Sequence, residues 1–106
     1  MRRVMVRYTV KPGRAAENER YIEQVFAELA RTAPQGMRYA AFRLDDGVSF
    51  VHVYVNENTD GTDPLPALPA FQEFRAGLEE RCESARVATP LHEVGSYGFF
   101  GSSHVT

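Results

Sequence analysis

The chain has 106 residues, one cysteine and no tryptophan, with 12 Lys and Arg against 14 Asp and Glu, for a formal charge of −2. At 43% hydrophobic and 25% charged it has the makeup of a single globular domain with one core, and its charge balance excludes the basic face that a nucleic-acid binder needs. Lone Cys82 excludes an intrachain disulfide or a paired-cysteine metal knuckle. No apolar run reaches the ~20 residues needed to cross a bilayer, and Met1-Arg2-Arg3 leads into an alternating segment rather than a signal-peptide core. A cytoplasmic protein without membrane or nucleic-acid partners is expected.

From Val4 to Val10 the residues Val4, Val6, Tyr8 and Val10 alternate with Met5, Arg7 and Thr9, the period of a strand with two distinct faces. Lys11-Pro12-Gly13 ends it. Over residues 14–32, Ile22, Val25, Phe26 and Leu29 fall at helical spacing among Glu17, Glu19, Glu23 and Glu28, which predicts an amphipathic helix stopped by Ala33-Pro34-Gln35-Gly36. A second strand is predicted over residues 37–44, and Asp45-Asp46-Gly47 supplies a hairpin turn to a third over residues 49–56. That strand sets Val51, Val53 and Val55 against Phe50, His52, Tyr54 and Asn56. Residues 56–69, with no period and three prolines, read as an irregular connection. A second helix is predicted over residues 70–84, with Phe71, Phe74, Leu78 and Cys82 buried, and a last strand over residues 91–100. The domain is expected to span 1–100, with 101–106 a flexible polar tail.

The order strand, helix, strand, strand, helix, strand is the ferredoxin-like α+β arrangement, an antiparallel sheet with both helices on one face. With the valine faces of the first and third strands against the helices, the other face carries Met5, Arg7, Thr9, Phe50, His52 and Tyr54, joined by Tyr97 and Phe99 of the last strand. An apolar and aromatic face of this kind is expected to be covered by a second copy, giving a homodimeric α/β barrel with an interior cavity.

Within that cavity His52 and Tyr54 stand about 6.6 Å apart along one strand face, close enough for one ligand to bridge. A neutral His52, with an ordinary pKa of about 6.5, suits removal of a proton from a phenolic or enolic ligand. Arg7, mid-strand, would hold a carboxylate or a developing oxyanion, or else pair with an acid across the dimer. Tyr39, Arg43, Asn56 and Tyr97 are further candidates to line the cavity, with the choice left to strand register. His52, His92 and His104 lack metal-ligand spacing, so no metal site is expected. Cys82 reads as a packing residue, and Gly95, Gly98 and Gly101, with no helix after them, do not form a phosphate loop.

Val10-Lys11-Pro12-Gly13 before an acidic helix, Phe50-Val51-His52-Val53-Tyr54-Val55 as the third strand, and Leu68-Pro69-Ala70-Phe71-Gln72-Glu73-Phe74 opening the second helix together resemble the antibiotic-biosynthesis-monooxygenase-like group of dimeric α/β barrels. The resemblance covers residues 4–100. It implies a cavity between the sheet and the second helix for a small aromatic or polyketide-like molecule, and a monooxygenase chemistry needing no cofactor, in which a deprotonated phenol reacts with O2. This chain lacks the tryptophan usual in such oxygenases, and Leu65 or a neighbour stands where they carry a histidine. The alternative is therefore a dimeric barrel that binds a ligand without turning it over, in a stress-associated or other binding role.

Overall fold

The computed structural model describes residues 1–99. Four strands, β1 (Arg2–Thr9), β2 (Met37–Arg43), β3 (Ser49–Asn56) and β4 (Val87–Pro90), form one antiparallel sheet in the order β2-β3-β1-β4. Three helices, α1 (Ala15–Thr32), α2 (Pro69–Ala76) and α3 (Leu78–Arg81), interrupt the strands in the ferredoxin-like order.

Local chemistry accounts for the boundaries. α1 ends on Ala33, whose left-handed φ of 44° lets its N–H bond back to the Leu29 carbonyl. Gly36 follows with φ 79°, and a Cβ there would sit 2.0 Å from the Asn58 Oδ1 atom, so only glycine fits. At the β2-β3 hairpin one carboxylate organises the turn: Asp46 Oδ1 accepts the N–H groups of Val48 and Ser49 at 3.0 and 2.8 Å.

The second helical segment is shorter and broken, unlike the single helix predicted over residues 70–84. Gly77 separates α2 from α3 at φ −103°, ψ 1°. A Cβ at this position would lie 2.8 Å from a guanidinium nitrogen of Arg81. The interruption thus makes room for a buried cation. In the connection before α2, a single 3₁₀ turn (Leu65–Ala67) buries Leu65 beneath the irregular segment.

The last strand also differs from expectation. β4 is Val87–Pro90, and residues 91–99 carry no strand. Val87 and Ala88 face Arg7 and Val6 across the β1 ladder, and the proline that ends the strand can donate no further ladder bond. The predicted tail over 101–106 lies outside the described residues.

Register decides which side of the sheet meets the helices. β1 pairs with β3 through Val4↔Tyr54, Val6↔His52 and Tyr8↔Phe50, and β2 pairs with β3 through Tyr39↔Tyr54 and Ala41↔His52. The β1 valines therefore share the helix side with the aromatic face of β3, not with its valines. The core holds Val4, Tyr8, Val10, Val25, Phe50, Tyr54, Leu65, Phe74 and Leu78. Phe50 and Tyr54 remove more apolar area from water against α1 and α2 than Val51 and Val53 would. Met5, Val51, Val53, Ala40 and half-exposed Phe42 are left on the open side. Among the described residues no helix is long and apolar enough to cross a membrane.

Candidate functional site

Between the sheet and α2 lies a cavity of about 190 Å³. Its walls are Val4, Val6 and Tyr8 from β1, Tyr39 from β2, His52 and Tyr54 from β3, Phe71 and Phe74 from α2, and Leu65 from the connection. Each strand contributes alternate residues, because the pleat aims every second side chain at the helices. The lining is mainly apolar, with a few polar groups converging on one wall, the usual composition of a small-ligand pocket.

Those polar groups form a continuous chain. The Tyr8 hydroxyl lies 2.8 Å from His52 Nε2, and the Tyr39 hydroxyl lies 2.5 Å from His52 Nδ1. Asn18 Nδ2 donates to the Tyr8 oxygen at 2.9 Å, and Arg81 Nε donates to Asn18 Oδ1 at 3.2 Å. Arg81 is buried; its Nη2 donates to the Phe74 carbonyl at 3.0 Å and its guanidinium lies 4.5 Å from the centre of the Tyr21 ring. The cation is thus held by a carbonyl, an amide and an aromatic face.

Either tautomer of a neutral His52 pairs both ring nitrogens and leaves one phenol O–H without an acceptor among the described residues; the Nδ1–H form keeps the more deeply buried Tyr8 fully bonded. Tyr8 accepts from Asn18 and gives its own proton to Nε2 of His52. Nδ1–H of His52 then donates to the Tyr39 oxygen. Tyr39 is left with one O–H to offer the cavity.

Burial strongly favours the neutral imidazole: it pushes the His52 pKa down to about 4. The same desolvation raises the Tyr39 phenol, with a further rise from Tyr8 and an opposing pull from Arg75. Tyr8 is likewise raised by burial, against the hydrogen bond from Asn18 and the charge of Arg81. At neutral pH the wall therefore carries no ionised group in this chain between Asn18 and Tyr39, and His52 serves as a neutral relay between two phenols.

Aromatic packing fixes the rings. Tyr39 stacks on Phe26 of α1 at 5.1 Å, and His52 stacks on Phe74 at 5.4 Å. Tyr54 meets the Tyr39 ring edge-on at 6.0 Å, and its hydroxyl donates to Asp63 at 2.5 Å. Burial first, and that bond second, raise the Tyr54 phenol. Together with Asn56 Nδ2 donating to the Thr62 carbonyl at 2.8 Å, this contact ties the irregular connection to the end of β3.

The structure brings His52, Tyr54 and Tyr39 into the cavity together. Arg7 points the other way: it alternates with Val6 and Tyr8, faces Val51 and Val87, and is exposed on the open side. Asn56 shares the His52 face but is buried in bonds to the connection, accepting from the Asn58 N–H as well. Arg43 sits at the far end of β2, 3.3 Å from a Glu19 carboxylate oxygen. Tyr97 lies beyond β4 and is exposed. Among the described residues no three His, Cys, Asp or Glu side chains gather as a metal site would require.

Sequence reasoning missed Tyr8, Asn18 and Arg81. Each interrupts an apolar pattern: Tyr8 breaks the valine face of β1, Asn18 extends the Ile22, Val25, Leu29 stripe of α1, and Arg81 follows Phe74 and Leu78. A polar group on a buried stripe must have a partner, and these three partner one another through Asn18.

No family model and no curated protein sequence matches the chain. Solved structures do. An antibiotic biosynthesis monooxygenase superposes with a TM-score of 0.72 at 16% identity, covering 90% of this chain and 100% of the other. Rv0793 from Mycobacterium tuberculosis gives 0.72 at 18%, covering 89% and 95%. SnoaB, a cofactor-independent oxygenase from Streptomyces nogalater, gives 0.65 at 23%, covering 89% and 93%. The chain has the ferredoxin-like α+β fold of the antibiotic-biosynthesis-monooxygenase-like proteins.

Proposed function

We propose that the protein binds a small aromatic, phenol- or enol-bearing metabolite in the cavity beneath α2 and acts on it as a cofactor-independent oxygenase. The observation that carries this reading is the hydrogen-bond chain from Arg81 through Asn18, Tyr8 and His52 to Tyr39 on the wall of an apolar cavity; with the imidazole proton on Nδ1 it leaves the Tyr39 O–H for a ligand. A fixed donor in a water-poor site stabilises the oxyanion form of a bound phenol or enol. In the oxygenase reaction that anion supplies the electrons to O2, one oxygen atom entering the ligand as a carbonyl and the other leaving as water. Arg75, whose charge is felt at Tyr39, supports the same negative charge.

His52 orients Tyr39 and is not the base in this scheme, because its pKa of about 4 makes it a poor proton store at neutral pH. The test is 1-naphthol or a related phenol supplied under O2, with binding and O2 uptake both recorded. Tyr39→Phe should lower uptake by roughly 10²-fold, as for other single oxyanion donors, with intact folding. Unchanged uptake would remove Tyr39 from the chemistry. A binding-only protein is the second reading, favoured because both ring nitrogens of His52 are engaged; saturable binding with no uptake would select it.

The open sheet side fits a second copy of the chain. Met5, Val51, Val53 and Phe42 lie there together, and sheet-to-sheet pairing would bury them in a homodimeric barrel.

A further inference from the structure

The cavity that takes the aromatic ligand has a one-signed rim. Arg2, from the start of β1, Arg75, from α2, and Arg86, just before β4, all reach its lining, which contains no Asp or Glu. Arg2 and Arg86 stand toward opposite ends of β1, Arg86 just before the Val87↔Arg7 pair, and Arg75 is the one within electrostatic reach of Arg86. Arg3, Arg14, Arg31, Arg38 and Arg43 each lie within ion-pair distance of a glutamate, and the surface arginines outside the cavity that make no such pair among the described residues, Arg7 and Arg20, share no pocket wall with one another. Among the described residues Arg2, Arg75 and Arg86 have no such partner.

Arg75 is the best placed of the three. Its guanidinium lies 6.0 Å from the centre of the Phe71 ring, on the cavity wall. Arg86 lines the same cavity, and desolvation, then its like charge, lowers the Arg75 pKa. Such a pair is costly unless an anion joins it.

Resting on the cavity reading above, we infer that the ligand is an aromatic carboxylate. Its ring lies on the Phe71 and Phe74 wall, its ring oxygen meets Tyr39, and its carboxylate meets the Arg75 and Arg86 guanidinium groups. The fork of a guanidinium matches the two oxygens of a carboxylate. Size sets how the ligand sits: a cavity of ~150 Å³ admits benzene, so about 190 Å³ encloses the phenolic ring and leaves the remainder of the ligand, with its acid group, at the open side of the cavity.

Calorimetric titration with 4-hydroxybenzoate and with 4-hydroxybenzamide separates this inference from the reading beneath it. The two ligands share size and phenol and differ in charge. The acid should bind about tenfold more tightly than the amide, the gain expected of charge-assisted hydrogen bonds, and added salt should weaken only the acid. Arg75→Gln should shrink the acid-to-amide ratio and Arg75→Gln with Arg86→Gln should bring it to about one, each ratio being read within the same variant. Equal affinities in the wild-type protein, or a preference that survives the double substitution, would overturn the carboxylate assignment while leaving the cavity reading standing. No binding of either ligand would overturn both. The wild-type acid-to-amide ratio and its salt dependence decide the matter even where a variant does not fold.

Discussion

The two faces of one sheet make the most instructive comparison in this molecule. On the helix side, Tyr8, Tyr39, His52 and Tyr54 carry polar atoms into the interior, and each of those atoms has a partner. On the open side, alternate residues of the same strands form an aliphatic patch, Met5, Ala40, Val51 and Val53, flanked by Arg7 and Thr9. A one-sided sheet in water normally turns a purely apolar face to its helices and a polar face to solvent, whereas here polar tips reach into the core and an aliphatic patch faces out. The departure teaches that neither face is simply core or simply surface. A polar wall beneath helices is useful when something polar enters, and an aliphatic wall without helices is useful when another sheet covers it.

The comparison can be broken by truncating each side. Phe74→Ala removes a fully buried ring that stacks on His52 and floors the cavity, and it should cost about 3–5 kcal/mol in denaturant unfolding. A loss below 1 kcal/mol would mean that the helix side is loosely packed.

The next effect depends on pH. His52 is held at a pKa of about 4 against an ordinary 6.5, so the unfolded chain binds more protons than the folded one between those values. Stability is therefore fully present above pH 6.5 and is lost as pH falls toward 4, by about 3 kcal/mol in all from this group. His52→Gln should flatten that part of the stability curve. An identical pH dependence in the variant would show that His52 is not held neutral by burial.

On the open side, half-exposed Phe42 should behave differently. Phe42→Ala should change the unfolding free energy of a monomer by no more than about 0.5 kcal/mol. It should weaken self-association: light scattering on dilution should report about 24 kDa for the wild-type protein, two chains of 11.9 kDa, and a lower mass for the variant. A wild-type protein that stays at one chain's mass at every concentration would contradict the paired barrel.

Element order was legible in the residues because it depends on local periodicity. The alternation of Val4 to Val10, the stripe of α1 and Asp46-Gly47 at the hairpin each act within a few residues. The facing of β3 was not, because both of its faces are apolar and alternation says only that there are two. Placing Val51 and Val53 inward carried Arg7 into the cavity with His52; the observed ladder puts Arg7 opposite Val51 on the outer side. Likewise β4 is short and carries little pattern in Val87-Ala88-Thr89-Pro90, so its place was set by pairing with β1. The more aromatic stretch that follows, with Tyr97 and Phe99, looked more strand-like and lies outside the sheet. Of the site, His52, Tyr39 and Tyr54 were visible as polar-tipped residues on predicted strands. The chain from Arg81 through Asn18 and Tyr8 was not, since it joins residues distant in sequence.

The central claim is that a neutral His52 is wired between Tyr8 and Tyr39 and leaves one tyrosine proton facing a ligand cavity. The most direct measurement is the ring-nitrogen NMR spectrum of ¹⁵N-histidine-labelled protein from pH 7 to pH 4, with and without 1-naphthol. The account predicts an Nδ1–H imidazole that stays neutral until pH approaches about 4 and shifts when the phenol binds at Tyr39. An imidazole that titrates near its ordinary 6.5 and ignores the added phenol would contradict it.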